Sequence, residues 1–262
     1  MNINSRRLHR QRILVLNPKG GSGKTTISTN LAAYLASQGN PTALMDYDPQ
    51  ASSMRWLSKR PKDRPAIYGV EAHKRNVNVT RSWQLRVPPE TRYIVVDSPA
   101  AIPPHELAEF TRTADAILVP VGPSDIDIHA ASRFIADLLL KAKVNRRTAN
   151  IGVIANRVNA QTVAYRNLMR FVYRLTIPVI GVLRDGQNYL HAANEGLGIH
   201  ECKPHRVQKD LAQWAPLTAW LEARLSMTEA GTPMNGASPR LMAAETPLPA
   251  GSQVVAFPHP VG

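Results

Sequence analysis

Lys19-Gly20-Gly21-Ser22-Gly23-Lys24-Thr25-Thr26 is the stretch on which the fold turns. Before it, residues 13–16 form a continuous apolar run, as expected of a strand buried on both faces. After it, Ile27, Leu31, Tyr34 and Leu35 recur on one helical face, and Gly39 with Asn40 supplies a stop signal, predicting a helix over about residues 24–38. A glycine loop between a buried strand and a helix is where a phosphate cradle forms. Its successive N–H groups point inward, and the helix N-terminus adds partial positive charge. Gly20, Gly21, Ser22 and Gly23 make that cradle, the glycines because a Cβ would block close approach of phosphate. Lys24 can reach the β- and γ-phosphates, Thr25 can offer its hydroxyl to Mg2+, and Thr26 can bond the α-phosphate. The usual pattern G-x-x-x-x-G-K-[ST] fails by one position, because Pro18 stands where the first glycine belongs. The pattern that fits is K-G-G-x-G-K-T, with an extra lysine at Lys19.

The same alternation continues outward. Short apolar runs at 42–45, 93–96, 116–121, 151–155 and 179–183 are separated by helical patterns, notably 126–141 and 161–175. A last helix, about 208–225, contains Pro216, which allows a bend. Strands alternating with helices predict an α/β P-loop NTPase fold, a mostly parallel twisted sheet with helices on both faces. Residues 51–91 are the least regular part and read as a loop or short-helix excursion. Three zones result: a basic arm, 1–12; the ATPase domain, 13–225; and a Pro-, Gly-, Ala- and Ser-rich tail, 226–262, expected to be disordered.

Two further strand ends carry carboxylates. Asp46-Tyr47-Asp48-Pro49-Gln50 closes the second run, and Asp97-Ser98-Pro99 closes the aromatic and aliphatic run at 93–96. The latter is a Walker B arrangement, which puts Asp97 beside the phosphate loop as a Mg2+ group. The run at 151–155 leads into Asn156-Arg157-Val158-Asn159, with no aspartate of an N-K-x-D signature to accept from a guanine amino group. ATP is therefore the expected nucleotide.

The loop resembles the deviant P-loop of the ParA/MinD family of dimerising ATPases, and the likeness extends over about residues 12–225. That resemblance implies a nucleotide-sandwich homodimer in which Lys19 contacts phosphate on the partner subunit. It makes Asp48 the residue that positions the attacking water, gives Asp46 a supporting place in the Mg2+ shell and brings Asn156 to the adenine. It also implies partner-stimulated ATP hydrolysis, with a ParB-like protein or a cargo adaptor as the stimulating partner.

The chain carries 32 Lys and Arg against 19 Asp and Glu, a net charge of +13. The expected tail contributes −1, so the excess sits elsewhere. Arg166, Arg170 and Arg174 recur at i, i+4 and i+8, one face of a helix, and Arg184, Lys203, Arg206 and Lys209 follow, with Lys141, Lys143, Arg146 and Arg147 as a further cluster. Such stripes suit sequence-independent contact with DNA phosphates. ParA relatives bind nucleoid DNA as the ATP dimer, which implies a cytoplasmic, nucleoid-associated protein that segregates or positions DNA or another large cargo. The alternative is a MinD-like membrane-cycling regulator, which needs a C-terminal amphipathic helix; residues 226–262 show no such face, so no membrane anchor is expected. Cys202, alone in the chain, excludes a disulfide framework and a thiolate-bridged cluster, and the four tryptophans read as packing residues.

Overall fold

The computed structural model describes residues 10–74, 80–142, 144, 150–175 and 177–229. In chain order these form β1 (Gln11–Val15), α1 (Lys24–Ser37), β2 (Thr42–Asp46), α2 (Ser52–Ser58), β3 (Ile67–Glu71), α3 (Arg81–Gln84), β4 (Tyr93–Asp97), α4 (Pro104–Thr111), β5 (Ala116–Val121), α5 (Asp125–Leu140), β6 (Ile151–Val158), α6 (Val163–Arg174), β7 (Val179–Arg184), α7 (Gln187–Asn194), a 3-10 turn (Ile199–Glu201) and α8 (Pro204–Glu229). The seven strands make one sheet in the order β3-β2-β4-β1-β5-β6-β7, and every pairing is parallel. β1 lies between β4 and β5, so the chain leaves it at a topological switch point, where open parallel sheets place their ligands.

The continuous apolar runs are explained by burial on both faces. β2, β4 and β5 are buried at every residue. On one face Ile27, Leu31 and Leu35 of α1 pack with Trp56 of α2 and with Trp214, Leu217, Leu221 and Leu225 of α8. On the other, Leu107 of α4, Phe134, Ile135 and Leu138 of α5, and Leu168 and Val172 of α6 cover Leu14, Val96, Val119 and Val153. Each such Leu, Ile or Phe contributes about 1.5–3 kcal/mol through burial.

Three boundaries differ from the sequence reading. β1 begins two residues early, and Gln11 is fully buried with its side-chain amide donating to the Leu225 carbonyl at 2.5 Å; Gln11 and Arg12 belong to the sheet, not to an arm. α8 runs through Pro216, whose side is exposed, and continues to Glu229, so residues 226–229 are helical rather than tail. Residues 51–91 are not merely an excursion, because they contain β3. That edge strand exposes Tyr68, Gly69 and Glu71, so its alternation lacks the apolar run that marks the central strands. Residues 1–9 of the expected arm and 230–262 of the tail, with Lys143, Arg146 and Arg147, lie outside the described residues.

Candidate nucleotide-binding site

The phosphate loop leaves β1 and enters α1, and its shape rests on backbone conformations that side chains disfavour. Gly21 has φ 76° and Gly23 φ 92°. A Cβ on Gly23 would stand 2.2 Å from Nδ2 of Asn156. No side chain caps α1 and no acidic residue occupies its first turn, which suits an anion at this N-terminus. Asn17, buried beneath the loop, donates from Nδ2 to the Pro120 carbonyl at 2.6 Å and accepts the Lys19 N–H at 2.8 Å. The Lys24 ammonium donates to the Lys19 carbonyl at 3.2 Å. Burial lowers the Lys24 pKa, opposed by the charges of Asp97 and Asp48.

Register fixes the carboxylates. Val15 pairs with Asp97 and Asp46 pairs with Asp97, so the ends of β1, β4 and β2 stand level. Asp97 and Asp46 are both fully buried. The Ser28 hydroxyl donates to Oδ1 of Asp97 at 3.4 Å, while its buried Oδ2 has no hydrogen-bond partner. Burial, reinforced by the charges of Asp46 and Asp48 and opposed by the Thr25 hydroxyl and Lys24, pushes Asp97 up to about 7. An orphaned buried carboxylate oxygen beside a threonine hydroxyl fits a Mg2+ ion bound directly or through water. Asp46 differs from the expectation of a metal-shell group. Its Oδ1 accepts the Asp48 N–H at 2.9 Å, and its Oδ2 accepts those of Ser53 at 3.1 Å and Met54 at 3.2 Å. It caps α2 and fixes the turn that presents Asp48. Asp48 itself is half-buried and accepts the Gln50 N–H.

Asn156, expected at the adenine, donates from Nδ2 to the Ser22 carbonyl at 2.8 Å and thereby props the loop. Arg157 holds φ 55°, a conformation a non-glycine residue rarely adopts, and sends Nη1 to the Gly21 carbonyl at 3.4 Å. One cleft of about 980 Å3 joins Gly20, Gly21, Gly23, Lys24, Thr25 and Thr26 to Asp48, Asn156, Arg157, Arg184 and Tyr189. That volume accommodates a nucleotide. Arg157 and Tyr189 were not singled out in the sequence; the strain at Arg157 has no sequence signal beyond its place after a strand.

Lys19 extends from the loop to Asp127, whose carboxylate it meets in an ion pair. Burial works against the charge on Asp127, but hydrogen bonds from Lys19 and Ser124 outweigh it and keep its pKa below the usual carboxylate range. Asp127 went unnoticed in the sequence, although Ser124-x-x-Asp127 is a helix N-cap signature: Ser124 caps α5 by accepting the Asp127 N–H.

The basic residues divide. Arg166, Arg170 and Arg174 are exposed together on α6, and Lys203, Arg206 and Lys209 are exposed at and before the start of α8. Lys141 is paired with Asp137. Arg184 is not a free cation. It grips the fully buried Asp210 with Nε at 2.7 Å and Nη2 at 2.9 Å. Among the described residues no group of three or more His, Cys, Asp and Glu is placed to hold a metal by itself, and no helix is long and apolar enough to cross a membrane.

The CobQ/CobB/MinD/ParA nucleotide binding domain matches residues 13–199. Among curated proteins, the maintenance of carboxysome distribution protein A of Gloeobacter kilaueensis is 30% identical over 190 residues, 71% of this chain and 82% of that one. Its namesake from Halothiobacillus neapolitanus is 28% identical over 190 residues, 72% of this chain and 86% of that one. Among solved structures, the MinC:MinD cell division protein complex of Aquifex aeolicus superposes with a TM-score of 0.60 at 21% identity, covering 87% of this chain and 98% of that one. With its parallel sheet and its phosphate loop at the switch point, the chain belongs to the CobQ/CobB/MinD/ParA family of nucleotide-binding domains.

Proposed function

We propose that the chain is a Mg2+-dependent, ParA-type ATPase that dimerises on ATP, binds DNA without sequence preference and positions a large cargo. One observation carries the reading: Lys24, Thr25 and Asp48 line one cleft, and all three interact with the buried Asp97, whose Oδ2 is orphaned. In it, Lys24 and the Gly20–Gly23 backbone bind the phosphates, Thr26 bonds the α-phosphate, and Asn156 holds the cradle in shape. Thr25 and Asp97 hold Mg2+, which when bound neutralises charge between β- and γ-phosphate oxygens. Asp48 orients the attacking water. Lys19 of the partner subunit serves the phosphates in trans, so on dimerisation it leaves Asp127. The Lys19 side chain is 36% exposed, which supports that exchange.

DNA contact falls to the exposed Arg166, Arg170, Arg174, Lys203, Arg206 and Lys209. The relatives named for carboxysome distribution favour a protein assembly as cargo over a plasmid, with a ParB-like protein or cargo adaptor stimulating hydrolysis. The setting would be cytoplasmic, on the nucleoid.

The test is binding of the purified chain to random-sequence duplex DNA with ATP, ADP or no nucleotide, over a salt series. ATP-dependent binding is expected. If each subunit of a dimer engages three phosphates, log K falls with log salt at a slope of roughly −5. Equal or absent DNA binding in all three states, with ATP-dependent binding to anionic liposomes instead, would replace this reading with a membrane-cycling one.

A further inference from the structure

A second cavity, of about 560 Å3, opens away from the phosphate loop. Its apolar wall is Met45 of β2, Ile94 of β4, and Leu85 and Val87 of the chain after α3. These belong to the core on the sheet face opposite α1. Three arginines line the same cavity, Arg10, Arg12 and Arg86, and no carboxylate does.

Arg12 is the telling residue. It sits within β1, in register with Ile94, so its side chain is directed by the sheet. Among the described residues its guanidinium bonds two neutral hydroxyls, Thr113 Oγ1 at 3.2 Å and Tyr47 Oη at 3.4 Å. Its Nε is buried and has no partner among the described residues. Nearby Asp115 accepts the Arg12 backbone N–H, at 2.7 Å. A half-buried guanidinium with an unmet donor, set over an apolar wall, has the chemistry of a receptor for a carboxylate attached to an apolar group.

The surface beyond the cavity says how large that ligand is. Trp83 on α3 is 57% exposed, against full or near-full burial of Trp56 and Trp214, and Arg86 stacks over its ring at 4.3 Å. A large aromatic left in solvent beside stacked arginine is the composition of an interface centre. It continues the cavity outward into a platform, too extended for a small metabolite alone. We propose that the cavity and the Trp83 platform dock an acidic peptide segment of a partner protein. One aliphatic or aromatic side chain enters between Met45, Leu85 and Ile94, and a neighbouring Asp or Glu meets Arg12 and Arg86.

The assignment stands apart from the ATPase reading, since no residue of the nucleotide cleft lines this cavity. It nevertheless touches the cleft through Tyr47, which forms part of the wall between Asp46 and Asp48. The Tyr47 ring meets Phe110 of α4 edge-on at 5.0 Å and has the Arg81 guanidinium 5.7 Å from its centre.

The experiment is selection of random peptides displayed on phage against the full chain, counter-selected on the Arg86→Glu/Trp83→Ala variant. Both positions are exposed, so the variant is expected to melt as the parent does; Arg10→Glu, also exposed, replaces it otherwise. Enriched peptides should combine Asp or Glu with a large apolar residue. A synthetic peptide from the enriched set should shield Trp83 from acrylamide quenching, and lose affinity about tenfold or more in Arg86→Glu and in Arg12→Gln. Selection of basic or uncharged peptides, no enrichment, or affinity unchanged by Arg86→Glu and Arg12→Gln would overturn the assignment. ATP turnover is not the readout, so failure of either proposal leaves the other standing.

Discussion

Truncating Arg184 separates a structural ion pair from a DNA contact. Asp210 is fully buried, and three side-chain hydrogen bonds meet its charge: two from Arg184, at 2.7 and 2.9 Å, and one from Asn188 at 2.6 Å. Burial alone would raise the Asp210 pKa, yet the Arg184 and Asn188 bonds hold it below the usual carboxylate range. Arg184→Ala leaves that carboxylate buried with Asn188 alone. Breaking a fully buried pair costs about 3–5 kcal/mol. The Arg184 side chain is 37% exposed, so water and screening reduce this to about 2–3 kcal/mol. For a domain of this size that is roughly 4–12 °C in Tm. Urea denaturation and calorimetry of Arg184→Ala, Asp210→Asn and the double variant give the cycle. The double variant should recover part of the loss, with a coupling of about 1–3 kcal/mol. DNA affinity is then measured on the double variant. If affinity stays at parental level there, the loss in Arg184→Ala was one of folding. An Arg184→Ala chain with an unchanged midpoint would refute the reasoning, because the pair would then hold nothing.

Asp48→Ala should keep ATP-dependent dimerisation by size exclusion while turnover falls about a hundredfold or more; normal turnover would assign the water-positioning role elsewhere. Gly23→Ala faces φ 92° and a contact of 2.2 Å with Asn156, so it should lose about 1–2 kcal/mol in stability and bind ATP at least about tenfold more weakly by titration calorimetry. His200 packs between the Tyr34 and Trp214 rings, and burial depresses its pKa to about 4 against the weaker pull of Glu201. A depressed histidine stabilises the fold above its unfolded value of 6.5 and loses that contribution as pH falls toward about 4, so His200→Phe should flatten the urea-midpoint profile across that window; an identical slope in both proteins would show His200 takes no part. Asp97→Asn should stabilise the nucleotide-free chain by roughly 1–3 kcal/mol near neutral pH, whereas Asp46→Asn should destabilise it by a similar amount; matching signs in thermal melts would contradict their different environments.

The parts of the molecule built from strong local patterns were legible. Six strands announced themselves as apolar runs, most of them because parallel pairing buries both faces, and 116–121 matched β5 to the residue. The phosphate loop was legible because few sequences need three glycines and two lysines between a strand and a helix. β3 was not, because an edge strand with Tyr68 and Glu71 in solvent has lost half its apolar signal. Roles that depend on tertiary partners were also out of reach. The Asp127 partner of Lys19 lies more than a hundred residues away, and the Arg184 partner Asp210 lies beyond α7 and the 3-10 turn. Asp46 reads in sequence like a metal group because a strand-end aspartate beside Asp48 is common to both roles. Only the N–H groups of α2 decide between them.

Those N–H groups also explain why Asp46 and Asp97 diverge. Parallel pairing of β2 with β4 in register forces the two strand-end carboxylates side by side, and the packed sheet leaves neither exposed. Two adjacent buried negative charges are unfavourable unless each is compensated. Asp46 is compensated internally, by three backbone N–H groups that belong to the turn and to the first residues of α2. Asp97 has the long Ser28 contact, the Thr25 hydroxyl and the nearby Lys24, whose own charge burial disfavours. The sheet therefore finishes with one carboxylate that shapes the switch segment and one that binds a proton far more readily than an ordinary aspartate. A divalent cation held by Thr25 and Asp97 would supply the missing compensation. Nucleotide and metal bound there would stabilise the folded chain by mass action, since the unfolded chain offers no such site. On the proposed reading, ligand binding and the integrity of the β2–β4 edge would be coupled, with Asp48, whose N–H bonds Asp46, at their junction.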